Sequence, residues 1–234
     1  MKIKGKNILI TGGSSGIGKA TAIKLHNQGA NILITGRDKL KLKKISSQHG
    51  IKSLEFDISK LESIEEKTKE ILKKFDNKID VLINNAGVGK SKKIDEIEIK
   101  DFLDVYNTNV FGLAILTSII VKEFKKQRNG NIINIASTAA LNGYEGGTIY
   151  GGSKFALRGM SKCWQKELRK FNVRVMLINP SEVTTAFGQK DRKERKDINN
   201  KLRSKEIADT ISSILKIDDR GFIPELSVWA TNPF

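Results

Sequence analysis

The sequence predicts an α/β chain wound around a parallel sheet of about seven strands, with helices on both faces. Three observations predict it. Seven short β-branched runs recur along the 234 residues, segments of helical period separate them, and a glycine-rich turn follows the first run directly. The strand-like runs are Asn7–Thr11, Asn31–Thr35, Lys52–Phe56, Val81–Asn84, Asn131–Ala136, Val173–Asn179 and Phe222–Val228. Several are almost wholly apolar, as strands covered on both faces of a parallel sheet are. Among the helical segments, Ile64, Thr68, Ile71, Leu72 and Phe75 make one apolar stripe. Gly29 sits where a helix stop is expected, and Ser204 is placed to cap the helix carrying Ile207, Ile211 and Ile214. A strand–helix alternation of this kind gives a doubly wound sheet, which binds ligands beyond the carboxyl ends of its strands.

Composition narrows the function classes. The length suits one domain over residues 1–234, with no low-complexity linker and no internal repeat. Met1 to Lys6 read as neither a signal nor a transit peptide. The weakly polar stretch Val105–Val121 carries Asn107, Thr108, Asn109 and Gly112 and reads as a buried helix rather than a membrane span. Cys163 is the only cysteine and there are two histidines, so no disulfide framework and no convincing metal site is expected. A cytoplasmic location follows as the expectation. The formal net charge of +16 favours anionic partners. Its lysines, however, are scattered among acids, as in Glu65-Glu66-Lys67-Thr68-Lys69-Glu70, which reads as a solvated surface. Neither a nucleic-acid nor a membrane partner is expected.

After Ile8-Leu9-Ile10 comes Thr11-Gly12-Gly13-Ser14-Ser15-Gly16-Ile17-Gly18, opening a helix. Gly12 suits a tight turn, Gly16 lets backbone approach a pyrophosphate, and Gly18 lets helix and strand pack closely. The helix start offers free N–H groups and a positive dipole end to phosphates. This spacing resembles that of the short-chain dehydrogenase/reductase family, and among its members most generally the 3-oxoacyl-carrier-protein reductases. The family's further motifs occur in order from Thr11 to about Thr185. The resemblance implies a Rossmann-type sheet and a nicotinamide dinucleotide.

Gly36-Arg37 ends the second strand. Without an acidic residue there, nothing repels a 2′-phosphate, and Arg37 offers a fork suited to one, with Ser14 or Ser15 adding a hydroxyl. NADP(H) is therefore preferred, with NAD(H) left open, since Arg37 also suits a bare exposed helical turn. Asp57, followed by Ile58, matches the family's adenine-binding aspartate and is equally placed to be a helix N-cap. Asn84-Asn85-Ala86-Gly87 resembles the segment that lies beside the adenosine ribose in the family. Pro180-Ser181-Glu182-Val183-Thr184-Thr185 resembles the nicotinamide-side segment, with Ser181 replacing a glycine, and Pro180, Val183 and Thr185 as cofactor contacts.

The catalytic expectation rests on Tyr150-Gly151-Gly152-Ser153-Lys154. At i and i+4 on a helix, Tyr150 and Lys154 share a face, and a nearby ammonium lowers a phenol toward neutrality. Ser137 stands thirteen positions before Tyr150, the family's spacing. By resemblance Ser137 and Tyr150 bind the carbonyl oxygen and Tyr150 passes the proton. Lys154 also holds the nicotinamide ribose, and Asn109 holds a water in a proton relay. Asn109 is equally read as an asparagine kinking a buried helix. Together these imply carbonyl reduction or its reverse on a small molecule or a carrier-protein thioester, by a homodimer or homotetramer. A non-catalytic NADP-binding sensor is the alternative. Residues 186–203, with the charged run Lys190–Lys196, stand where the family carries its substrate lid and also read as a solvated segment.

Overall fold

Side-chain alternation in the first strand sorts the core into two layers. The computed structural model describes residues 1–188 and 193–233. In β1 (Asn7–Thr11), Ile8 and Ile10 enter one apolar cluster and Leu9 the other. The same alternation runs through β2 (Asn31–Gly36) and β4 (Val81–Asn84), in register with β1: Leu33 and Leu82 flank Leu9. One layer is closed by α1 (Gly16–Asn27), α2 (Lys39–His49) and α7 (Ser204–Lys216). The other is closed by α3 (Ile64–Lys73), α5 (Leu113–Gln127) and α6 (Thr148–Leu168). The remaining strands are β3 (Lys52–Glu55), β5 (Gly130–Ile135), β6 (Val173–Pro180) and β9 (Glu225–Val228). The sheet runs β3-β2-β1-β4-β5-β6-β9, every pair parallel. Chain order therefore departs in opposite directions from the β1–β4 seam, the geometry that opens a crevice above it. This is the Rossmann-like α/β fold that the alternation predicts.

Two local expectations need correction. The last strand begins at Glu225, not Phe222. Pro224 lacks an N–H and contributes only its carbonyl, which accepts from Leu177 N (3.1 Å). Ser204 is the first residue of α7 rather than its cap, a place taken by Arg203, whose N–H donates to Glu206 (2.7 Å). The other signals hold. Gly29, at φ +84°, follows the end of α1, and Ile64, Thr68, Ile71, Leu72 and Phe75 are buried.

The Val105–Val121 stretch lies in α4 (Ile99–Tyr106), a π-helical turn (Asn107–Gly112) and α5. This continuous helical rod is long and apolar enough to cross a membrane by length and composition. Here it lies on the sheet through Leu113, Leu116, Ile120 and Phe124, all buried. A wide turn of this kind inside a helix re-aims the side chains it carries, and Asn109 is one of them.

A buried polar seam fixes β4, β5 and their helices beneath the crevice. Asn84 and Asn134 are register partners. Asn84 Nδ2 donates to Asn134 Oδ1 (2.9 Å) and Thr117 Oγ1 (3.0 Å), and Asn134 Nδ2 donates to Ser161 Oγ (2.8 Å). Asn134→Ala removes one acceptor and one donor from a buried site. It should cost about 1–3 kcal/mol in stability, read as a lower urea midpoint at unchanged m-value.

Candidate active site

The helix after β1 starts without the usual local compensation. Ser15 is extended and makes no side-chain cap, and the first turn of α1 holds no acid. The N–H groups of that turn therefore face outward with their dipole end uncompensated from within the helix. Gly12 adopts φ +66°, and a Cβ there would stand 2.8 Å from Ala86 Cα. At Gly18 a Cβ would lie 2.4 Å from both Gly12 O and Asn85 Nδ2. Both positions thus demand glycine, one for the turn and one for close packing of helix on loop. Thr11 and Asn85 bind the β1 and β4 loops together. Thr11 Oγ1 accepts from Asn85 N and Ala86 N (3.1 Å each), while Asn85 Nδ2 donates to Thr11 O (2.9 Å) and Gly12 O (3.1 Å).

Above this seam lies a cleft of ≈380 Å³ at the carboxyl ends of the strands. Gly12, Ser14, Ser15, Gly16, Ile17, Arg37, Asp57, Ile58, Asn85, Ala86, Gly87, Ser137, Tyr150, Lys154, Pro180, Val183 and Thr185 all line it. Gly18 and Asn109 stand behind the lining. Arg37 is exposed at the rim beside Ser14 and Gly36. A Cβ at Gly36 would lie 3.1 Å from Ser14 Oγ, so an acidic side chain there would have to displace that serine. Asp57 is not an N-cap of α3. It folds on itself, accepting from Ser59 N (3.1 Å) and Ser59 Oγ (2.8 Å), seven residues before that helix. Ser181 has no positive φ, so it replaces the family's glycine without strain, and its N–H donates to Val228 O (2.9 Å).

On the other side, α6 carries Tyr150 and Lys154 on one face. Lys154 is buried, its Nζ donates to Ile135 O (2.9 Å), and that Nζ stands 5.7 Å from the centre of the Tyr150 ring. Burial pulls the ammonium down to about 8. Burial also pushes the Tyr150 phenol up to about 12, while a hydrogen bond with Ser137 works in the opposite direction. The expectation of a phenol lowered toward neutrality is therefore corrected. Desolvation is the largest influence on the phenol, and the charge of Lys154 is itself disfavoured by burial, with its Nζ directed at a backbone carbonyl.

Asn109 is fully buried. Its Oδ1 accepts from Val88 N (2.9 Å), and its Nδ2 donates to Val88 O (2.9 Å) and Ser153 Oγ (3.0 Å). One amide hydrogen thus holds the chain after β4 and the other goes to Ser153 on α6. The helical-kink reading of this residue matches its place in the π turn. The relay reading has only proximity behind it: a Cβ on Gly87 would lie 3.6 Å from both Asn109 Oδ1 and Lys154 Nζ.

Four side chains at the site were not legible as such. Ser153 bridges Asn109 to Tyr150 O (2.7 Å), and its only signal was its place beside Lys154. Phe187 lies over Tyr150, ring centres 5.5 Å apart, and close to Gly89. Arg195 donates to Thr185 O (3.1 Å) and Val183 O (3.2 Å), and Glu194 accepts from Gly16 N (3.2 Å). Of the expected lid segment, residues 189–192 lie outside the described residues. The rest holds no helix, and pairs β8 (Leu202–Arg203) with β7 (Val183–Thr184).

Comparison with known proteins agrees with this geometry. The family described as short chain dehydrogenase matches residues 6–196. The chain is 32% identical over 195 residues to the 3-oxoacyl-[acyl-carrier-protein] reductase of Thermotoga maritima, covering 81% of this chain and 79% of that one. Its fold is similar to the alcohol dehydrogenase of Thermococcus sibiricus solved with 5-hydroxy-NADP, with TM-score 0.88 and 28% identity over 97% of each chain. It is equally similar to the 3-ketoacyl-(acyl-carrier-protein) reductase of Brucella melitensis solved with NADH, with TM-score 0.88, 25% identity, and 99% and 100% of the two chains covered. With a glycine loop, an asparagine seam and a Ser-Tyr-Lys cluster around one cleft, the chain belongs to the short-chain dehydrogenase family, oxidoreductases that act on CH–OH and C=O groups.

Proposed function

We propose that this protein is an NADP(H)-dependent carbonyl reductase, working through Ser137, Tyr150, Lys154 and Asn109. One observation carries the reading: Ser137, Tyr150 and Lys154 line the same cleft as the glycine loop, with the Lys154 ammonium 5.7 Å from the centre of the Tyr150 ring. The lining fits a dinucleotide. A carboxylate already occupies the hydrogen-bonding direction of Gly16 N, so this backbone accepts an anion. When bound, the nicotinamide supplies or takes up the hydride. Ser137 and Tyr150 donate hydrogen bonds to the substrate oxygen, where negative charge develops, and Tyr150 gives up its proton there. Lys154 holds the ribose hydroxyls and, while charged, stabilises the tyrosinate left behind. Asn109 fixes the Val88 backbone beside them. Phe187 and Gly89 form the substrate-side wall.

NADP(H) is favoured over NAD(H) by Arg37 and by the glycine at 36. Relatives reduce 3-oxoacyl thioesters by name, and a basic chain suits an acidic carrier, so that thioester belongs in the first substrate panel beside ketones and aldehydes. NADPH consumption across the panel tests the function, and a flat panel contradicts it. The protein acts in the cytoplasm on a diffusible or carrier-bound substrate. It assembles as a homodimer or homotetramer, with Phe111 and Ile115 on the helical rod and Phe155 on α6 left 37–43% exposed. Sedimentation should give a dimer or tetramer, and a monomer mass at every concentration contradicts this.

Removing the 2′-phosphate contact with Arg37→Ala should weaken NADPH binding by about tenfold or more and leave NADH nearly unchanged. Fluorescence titration with both dinucleotides checks it, and equal losses reject the role.

Tyr150→Phe should lower the reduction rate about 10²- to 10⁴-fold with little change in dinucleotide affinity, whereas Lys154→Met should lower both. The sign of the pH dependence follows from the shifts. A phenol raised to about 12 stays protonated and able to donate through neutrality, while an ammonium lowered to about 8 is lost above that pH. Reduction by the wild type should therefore hold level through neutrality and fall past about pH 8. Full turnover by Tyr150→Phe would leave a dinucleotide-binding protein without this mechanism.

A further inference from the structure

The N-terminus of α1 is served by an acid from far along the chain. Glu194 lies 178 residues from Gly16. Its Oε1 accepts the Gly16 N–H at 3.2 Å, and its Oε2 stands 3.6 Å from Lys19 Nζ, one turn into the helix. No residue of the glycine loop makes this contact, and no acid of the first turn competes for it. We propose that Glu194 is a built-in competitor for the phosphate end of the cleft, a carboxylate that latches its segment over the glycine loop until a dinucleotide displaces it.

The proposal rests on the dinucleotide reading of the cleft and adds a regulation to it. Two fastenings hold residues 194–201, and they differ in what a dinucleotide does to them. At the nicotinamide end, Arg195 donates to Thr185 O and Val183 O and pairs with Glu182 (3.4 Å), while Lys201 pairs with Glu182 (2.9 Å). These contacts use the Thr185 and Val183 carbonyls and the Glu182 carboxylate, all acceptors for which an incoming anion does not compete. At the phosphate end the partners are a single N–H and, at 3.6 Å, the Lys19 ammonium. Gly16 has one hydrogen to give, and a pyrophosphate approaching it meets a second anion already there. Like charges at that separation repel, and one of the two must leave. The Glu194 side chain is about half exposed, so its departure breaks no core packing. Its release also frees the Lys19 ammonium, which can then face the incoming phosphate.

The energetics are those of a latch rather than a lock. A carboxylate at a partly exposed helix N-terminus contributes little, so its removal should tighten dinucleotide binding by about two- to fivefold. The shift is bounded by the difference in affinity of the two anions for the same amide. Arg195 stays in place in the released state, so the segment swings about its own attachment to β7.

The test uses the full chain with Glu194→Gln, which keeps size and removes charge, and Glu194→Ala, which removes the acceptor. NADPH affinity is read by fluorescence titration, and exchange of the Gly16–Gly18 amides is read by hydrogen–deuterium exchange without dinucleotide. The proposal expects tighter NADPH binding in both variants and faster exchange of those amides in Glu194→Ala. Unchanged or weaker affinity, or unchanged exchange, overturns the latch while leaving the dinucleotide reading intact, provided that the wild type binds. If neither wild type nor variants bind NADPH, the dinucleotide reading falls and the latch with it.

Discussion

Everything at this site depends on the seam where β1 and β4 lie side by side and the chain departs in opposite directions. The two strand ends are not joined by the sheet alone. Thr11 and Asn85 exchange hydrogen bonds across the gap, and the Gly12 and Gly18 backbones press against the second loop with no room for a Cβ. This brace sets where α1 begins, and hence where its first-turn N–H groups point. Below it, the Asn84–Asn134 pair carries the same ordering one strand further, to the segment ending in Ser137. Ser137, the glycine loop and the asparagine loop are thus positioned by one continuous polar spine inside an otherwise apolar sheet.

Burial decides the character of the Tyr150–Lys154 pair. Desolvation raises the Tyr150 phenol and lowers the Lys154 ammonium, so each is pressed toward its neutral form. Such a site disfavours the tyrosinate and the ammonium alike, and the phenol stays protonated through neutrality. A phenol able to act as a base needs charge brought close to it.

Much of this was legible in the sequence for a simple reason. A parallel strand covered on both faces is an unbroken apolar run, and the residues that carry chemistry come directly after such runs. Thr11-Gly12, Gly36-Arg37, Asn84-Asn85, Ala136-Ser137 and Pro180-Ser181 all sit at strand ends that the pattern located to within a residue or two. What stayed hidden was tertiary. Nothing in Asn107-Thr108-Asn109 announces a π turn, because helical periodicity before and after it is intact. That Tyr150 and Lys154 share a face was readable from i,i+4 spacing, but the effect of burial on both groups needs the surrounding fold. Ser204 looked like a cap because its residue type suits one, yet the Glu206 carboxylate captures the N–H one residue earlier. Glu194 was one acid within a run of mixed charge, and only its approach to Gly16 across the cleft sets it apart.

The central claim is that one cleft joins a dinucleotide to a carbonyl acceptor through Tyr150. Transfer of label from NADPH deuterated at the reactive C4 position tests it most directly, with whichever carbonyl compound the protein consumes fastest. The account predicts one deuterium on the carbinol carbon of the product, and loss of that labelled product with Tyr150→Phe. NADPH oxidised without label reaching the product, or labelled product formed at full rate by the phenylalanine variant, would contradict it.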